Sequence, residues 1–370
     1  MRSALTAGAL GALLAGCLGD ETAPPEEVSC APEPLAVAAP DFPPLAVPED
    51  NPLTRQGAEL GRRLFYDPIL SADSTQSCSS CHTQAYAFSD NGRRFSIGID
   101  GVAGTRNAPA LVNIGWNLSH FWDGRAPALE AQALEPVVNP IEMHETWEHV
   151  VAKLRRHRDY PELFRQAFCS GEITAERVVA AIAQFERTFV SRDSKYDRFL
   201  RGQATLAPAE QRGLRLFFTE KGDCFHCHND GLFTVRDFRD IGLDSLPPDA
   251  GRAAITQQAG DVGRFKIPTL RNVEFSAPYM HDGRFATLDA VLDHYNSGGV
   301  HSANVDPLIR VGRGLGLTVE QKQDLIAFLR TLTDSSFVTN PALASPFESP
   351  ARAALGSAPG AGRARRAALY

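Results

Sequence analysis

Two short strings carry the residues best able to do chemistry in this chain. Cys78-Ser79-Ser80-Cys81-His82 and Cys224-Phe225-His226-Cys227-His228 both read Cys-x-x-Cys-His, the second lying 146 residues beyond the first. In that pattern two thiols can add across the vinyl groups of a haem while the adjacent imidazole binds its iron. Zinc held between two Cys-x-x-Cys knuckles would use the same residue types. It gives no reason for a histidine directly after each second cysteine. Cys78, Cys81, Cys224 and Cys227 are therefore expected to anchor two c-type haems, with His82 and His228 as proximal iron ligands.

The segments flanking these strings repeat. Gly61-Arg62-Arg63-Leu64-Phe65 precedes the first and Gly213-Leu214-Arg215-Leu216-Phe217 the second. Pro109-Ala110-Leu111-Val112-Asn113 and Asp123-Gly124-Arg125 follow the first; Pro268-Thr269-Leu270-Arg271-Asn272 and Asp282-Gly283-Arg284 follow the second. The interval from proline to aspartate is 14 residues in both halves. Such a recurrence predicts a mainly α protein of two cytochrome-c-like haem domains related by internal duplication, over 49–195 and 196–336. Helical spacing supports this. Leu60 and Leu64 predict a helix over 54–65 that stops at Asp67-Pro68. Trp147, Val150, Val151 and Leu154 mark another, and Val178, Ile182, Phe185 and Phe189 form a longer stripe. Thr318 and Gln321 form a capping box for a helix burying Leu325, Phe328, Leu329 and Leu332.

The ends look different. Met1-Arg2, the apolar run from Ala4 to Leu14 and Leu14-Ala15-Gly16-Cys17 resemble a lipoprotein export signal over 1–17, with Cys17 as the lipidated residue. Acyl chains there would anchor the protein to a membrane, on the periplasmic side and at the outer membrane. Residues 18–48 contain eight prolines and are expected to form an extended tether, with order beginning near Asn51. Residues 337–370 are expected to be a tail without order. Cys30 and Cys169 remain, and an oxidising compartment would let them pair. A formal charge of −7 with no sustained basic run argues against nucleic-acid binding.

Beyond the haem strings the chain resembles the bacterial di-haem cytochrome c peroxidases and their MauG-type relatives, over about 50–335. The resemblance rests on Asn107-Ala108-Pro109, Phe121-Trp122-Asp123-Gly124-Arg125-Ala126, Ile141-Glu142-Met143, Pro268-Thr269-Leu270-Arg271-Asn272 and Pro278-Tyr279-Met280-His281-Asp282-Gly283. It implies that peroxide reacts at the N-terminal haem. Gln132 and Glu142 match the family's distal glutamine and glutamate, ten residues apart. A carboxylate over the iron can carry the proton that O–O cleavage requires, and the glutamine would orient peroxide. Trp122 matches the tryptophan that passes oxidising equivalents between the haems. The resemblance also implies one Ca²⁺, held by the Asn107 side chain and the carbonyls of Ser276 and Pro278.

Two departures point towards the MauG-like branch. Peroxidases of this family carry a capping histidine after an Ile-Gly pair; here the string is Ile97-Gly98-Ile99, and isoleucine cannot ligate iron. The first haem is thus expected to be five-coordinate and open. At the second haem the family's ligating methionine would fall 14 residues after His281, which is Tyr295. A phenolate there favours oxidised iron, and Met280 is the rival ligand. The implied activity is oxidation of a partner protein's side chain with hydrogen peroxide. The enzyme alternative reduces peroxide to water with electrons from a small cytochrome or copper protein. An alternative of another class is a non-catalytic di-haem electron-transfer cytochrome. The family leaves a homodimer open. His120, His144, His149, His157, His294 and His301 receive no role.

Overall fold

In each half a long helix is crossed by another at a glycine. The computed structural model describes residues 30–90 and 92–347. In the first half, α1 (Arg55–Tyr66) starts at Thr54, whose hydroxyl accepts the Gly57 N–H, and buries Leu60, Leu64 and Phe65. It lies against α5 (Ala175–Glu186), reached through α2 (Leu129–Val138), α3 (Trp147–Arg156) and α4 (Tyr160–Phe168). A Cβ on Gly61 would sit 1.8 Å from the Ala181 carbonyl oxygen, so only glycine lets the two backbones approach this closely. In the second half, after α6 (Lys195–Leu200), α7 (Pro208–Phe217) packs on α10 (Val319–Arg330). There a Cβ on Gly213 would lie 1.9 Å from the Asp324 carbonyl oxygen. The glycine of the repeated Gly-x-x-Leu-Phe string is thus the crossing point of each half. Between them, α8 (Ala253–Thr256) and α9 (Leu288–Ser297) complete the second half, and α11 (Ser335–Val338) follows it.

Each half has its own aromatic core. Phe65, Phe88, Phe185 and Phe189 centre the first, with Phe88 and Phe189 stacked at 4.1 Å. Phe217, Phe233 and Phe328 centre the second. The fold is mainly helical; the named strands are β1 (Phe238–Arg239) and β2 (Phe265–Lys266), two residues each and antiparallel. The predicted helices stand, with ends a residue or so away from those expected. Phe189 lies past the end of α5 and Leu332 past that of α10, yet both are fully buried.

The duplication is visible residue by residue. Pro109 and Pro268 are 159 positions apart, and the same shift carries left-handed Asn113 onto left-handed Asn272. It also carries α2 onto α9 with identical bounds, and the His120–Ala126 bridge onto that of Tyr279 and Phe285.

Two expectations about the ends need correction. The segment from Pro32 to Pro48 is not a free tether. Leu35 N–H donates to the Leu53 carbonyl at 2.9 Å. Phe42 is buried with Trp116 and Leu232, one from each half, and the Arg271 guanidinium lies 4.8 Å over its ring. Likewise 337–347 is packed, not free. Phe337 and Leu343 belong to the first core, Tyr66 donates to the Leu343 carbonyl at 2.7 Å and Arg62 to that of Ala344 at 2.6 Å. Large apolar side chains at three-to-ten-residue intervals suffice to fasten both segments despite their prolines. Cys30 and Cys169 are each disulfide-bonded. Cys17 with the rest of 1–17, residues 18–29 and residues 348–370 lie outside the described part. No helix among the described residues is long and apolar enough to cross a membrane.

Candidate haem sites

The first three residues of each Cys-x-x-Cys-His string form a 3-10 turn, Cys78–Ser80 and Cys224–His226, capped by the second cysteine with the histidine next. All four thiols are free. The His82 Nδ1 lies 2.7 Å from the Phe88 carbonyl oxygen and the His228 Nδ1 lies 3.1 Å from that of Phe233. Phe88 and Phe233 both adopt left-handed conformations, with φ of 59° and 54°. A bulky residue there costs roughly 1–3 kcal/mol. The cost recurs at the same place in each half, where the carbonyl it presents fixes the imidazole. With Nδ1–H donated to backbone, Nε2 keeps its lone pair for a metal. Burial holds both imidazoles neutral, lowering His82 and bringing His228 down to about 4. Free thiol pairs next to neutral, oriented imidazoles fit two c-type haems.

The second site opens into a cavity lined by Cys224, Cys227 and His228, with Tyr295 and Met280 also on its wall. Tyr295 projects from α9. Burial and then the nearby Cys227 and Cys224 sulfurs push its phenol up, so its hydroxyl is within electrostatic reach of the attachment site. Met280 sits on a loop with φ of 76°.

At the first site the chain after α2 doubles back on it. Met143 N–H donates to the Pro136 carbonyl at 3.2 Å and Glu145 N–H to that of Val137 at 2.9 Å. This return brings Glu142 beside the end of α2, where Asn139 Nδ2 donates to its Oε1 at 2.7 Å. Burial raises the Glu142 carboxyl above the ordinary range, opposed by that hydrogen bond; burial also raises the Cys78 and Cys81 thiols, and the Glu142 charge adds a smaller push to both. Glu142 and the first attachment site are therefore neighbours. Ile99 N–H donates to the Glu142 carbonyl at 2.9 Å, and Gly98 lets the Ile97-Gly98-Ile99 loop close on Ile141, whose carbonyl oxygen would lie 1.9 Å from a Cβ. Gln132 is half-buried on α2.

Pro136 escaped sequence reasoning. The 159-position shift that aligns α2 with α9 places Pro136 where the second half has Tyr295, one turn beyond Gln132. The doubled pattern itself could have revealed it. His144, which received no role, is exposed at the surface and lies 2.6 Å from Asp100.

Trp122 is buried between the halves. Its Nε1 donates to the Asn107 carbonyl at 2.7 Å, and its own carbonyl accepts the Lys266 N–H at 2.8 Å. The neighbouring Asp123 accepts from Arg106 at 2.6 Å, and Arg106 grips Asp249 with two hydrogen bonds. Arg125 binds Asp123 at 3.2 Å and Glu135 of α2 at 2.6 Å. An ion-pair chain thus ties α2, the Trp122 loop and the second half. Asn107, Ser276 and Pro278 all line the cavity. Asn107 Nδ2 donates to the Arg93 and Arg94 carbonyls, both at 3.1 Å.

The comparisons with known proteins agree on a family. The model of the di-haem cytochrome c peroxidase family matches residues 55–205. Methylamine utilization protein MauG of Methylorubrum extorquens is 38% identical over 301 residues, covering 80% of this chain and 84% of that protein. Cytochrome c551 peroxidase of Nitrosomonas europaea is 39% identical over 285 residues, covering 75% and 79%. A crystal structure of a MauG-like protein associated with microbial copper homeostasis superposes with a TM-score of 0.79 at 39% identity, covering 84% of this chain and 98% of that one.

Proposed function

The chain belongs to the di-haem cytochrome c peroxidase and MauG family of oxidoreductases, and from that premise we propose that it is a MauG-like enzyme that uses hydrogen peroxide to oxidise a side chain of a partner protein. Cys78, Cys81 and His82 would hold one haem and Cys224, Cys227 and His228 the other; the first would offer an iron to peroxide, and the pair together would supply the two electrons that O–O cleavage needs. Glu142 takes the proton from one peroxide oxygen and returns it to the other, which leaves as water. Its raised carboxyl suits it to both halves of that transfer. Gln132 orients peroxide from the adjacent face of α2. Trp122, an oxidisable ring between the halves, carries electrons from the second site to the first.

The observation that carries the reading is the contrast between matched positions. Tyr295 offers a phenol to the second site, whereas the first half has Pro136 at that register and Ile99 in the capping loop, neither able to ligate iron. A haem held at the first site would thereby be left open to peroxide, and one held at the second, with the Tyr295 oxygen as ligand, would favour oxidised states. Calcium bound by the Asn107 amide oxygen and the Ser276 and Pro278 carbonyls would hold the two halves in register. What supports it is the orientation of Asn107: its Nδ2 is occupied by two carbonyls, leaving Oδ1 as the acceptor. The disulfide-bonded state of Cys30 and Cys169 supports a periplasmic location, with Cys17 as lipid anchor.

The 39% identity with a cytochrome c551 peroxidase favours a second reading, peroxide reduction with electrons from a small redox protein. Absorption spectra of the fully ferric holoprotein mixed with peroxide separate them. Immediate spectral change in both haems supports the MauG-like reading. A reaction that starts only after one-electron reduction overturns it.

A further inference from the structure

The residues proposed for calcium have counterparts in the other repeat. The same 159-position relation pairs Asn107 with Lys266, Ser276 with Asn117 and Pro278 with Ser119. The backbone around the pair is two-fold in its hydrogen bonds. Asn107 N–H donates to the His281 carbonyl at 2.7 Å, and Lys266 N–H donates to that of Trp122, the counterpart of His281, at 2.8 Å. On the second side a side chain already brings positive charge to this place. Lys266 Nζ lies 3.4 Å from the Ser119 carbonyl oxygen, the counterpart of the Pro278 carbonyl.

This ammonium lacks a protein anion. Among the described residues Lys266 makes no ion pair, and its one side-chain hydrogen bond, to Ser119, is long. The arginine on the cavity wall, Arg239, is by contrast paired with Asp237 and, at 2.8 Å, with Asp306. Burial alone pulls the Lys266 ammonium down to about 8, with no carboxylate opposing the shift. Behind it stands His120, buried with an unpartnered Nδ1 and pulled down to about 3 by burial and then by the Lys266 charge. A buried cation without a counter-charge is costly, and folds supply a partner. Lys266 lines the same cavity as Cys224, Cys227 and His228. The carboxylates on that wall are engaged elsewhere, Asp223 with Arg310, Asp244 with Arg284, Asp249 with Arg106 and Asp240 with Ser302; a haem held by Cys224, Cys227 and His228 would bring two further anions, its propionates.

We propose that Lys266 is a tethered cation at the mirror position of the calcium site, and that it is the counter-charge of a propionate of the second haem. The mirror relation rests on the calcium reading; the missing counter-charge does not. Lys266 thus serves as a positioning residue, fixing the second haem and raising its reduction potential by placing positive charge beside it.

Spectroelectrochemical titration of the holoprotein tests this, with Lys266→Met, Lys266→Gln and Lys266→Arg beside the wild type. Met and Gln are expected to lower the midpoint potential of the haem on His228 more than that of the haem on His82, and Arg to restore it. Haem content per chain, read as pyridine haemochrome, identifies any variant that fails to assemble, and Gln then replaces Met. An unchanged potential in a fully loaded Met or Gln variant overturns the proposal. Elemental analysis of the wild type and Asn107→Ala reports the calcium reading separately. Absence of calcium from the wild type would remove the mirror relation and leave the potential measurement to decide the role of Lys266.

Discussion

Replacing Glu142 by glutamine isolates the proton-carrying role proposed for it. The carboxylate is held by Asn139 Nδ2 at 2.7 Å, and its backbone is fixed by Asn139 and Ile99. A glutamine carbonyl can accept the same Asn139 hydrogen bond at nearly the same volume, so packing should survive while the exchangeable proton is lost. A positioned acid–base is worth roughly 10²–10⁴ in rate, or about 3–5 kcal/mol on the barrier. Stopped-flow absorbance of ferric holoprotein against peroxide concentration gives the second-order rate constant directly. The sign of the pH dependence follows from the raised carboxyl. Only the ionised form can take the proton, so the wild-type rate should rise with pH through a midpoint above the ordinary carboxylate range and then level off. Asn139→Ala removes the hydrogen bond that lowers the Glu142 pKa and should move that midpoint to higher pH. Glu142→Gln should be slow and flat across the same range. A Glu142→Gln rate within threefold of wild type, or one that keeps the wild-type pH profile, would refute the assignment.

Other consequences reach the second site and the fold. Tyr295→Phe should change the absorption and magnetic spectra of the haem on His228; an unaltered spectrum would transfer the ligand role to Met280. Phe42→Ala should cost about 3 kcal/mol in denaturant unfolding of the holoprotein, the low end for a buried phenylalanine. A loss below 1 kcal/mol would mean that the 32–48 segment adds little to the core. Gly61→Ala gains about 1 kcal/mol in helix propensity but drives a methyl into the Ala181 carbonyl. A net loss of about 1–3 kcal/mol is expected from overpacking, and equal or greater stability would contradict the close crossing.

Local pattern carried most of the fold. The capping box at Thr318 and the apolar stripes of α1, α3 and α5 are short-range signals, and they became helices. The repeated Gly-x-x-Leu-Phe string was legible as a repeat, but not as a crossing, because the carbonyl that demands glycine at position 61 comes from Ala181. Composition misled at the ends. Eight prolines describe a chain that does not form helices; they say nothing of where Phe42 lands once Trp116 and Leu232 leave room beside it. Leu343 and Phe337 were hidden likewise by the small residues around them.

The site divides in the same way. Haem attachment is covalent chemistry at fixed spacing and was plain in the sequence. The left-handed Phe88 and Phe233, whose carbonyls orient the two histidines, left no mark there, since nothing about phenylalanine favours φ above zero. Gln132 and Glu142 alone would pass for solvated polar residues; family likeness singled them out, and the return of the chain along α2 brings Glu142 towards the haem cysteines. Lys266 and Pro136 became meaningful only as members of pairs, one with Asn107 and the other with Tyr295.

In the proposed enzyme the first haem has an open iron and the second does not. Electron paramagnetic resonance of the resting, fully ferric holoprotein tests it most directly. A high-spin ferric signal from the haem on His82 beside a low-spin signal from the haem on His228 is the predicted result. Two low-spin signals and no high-spin ferric haem would contradict it.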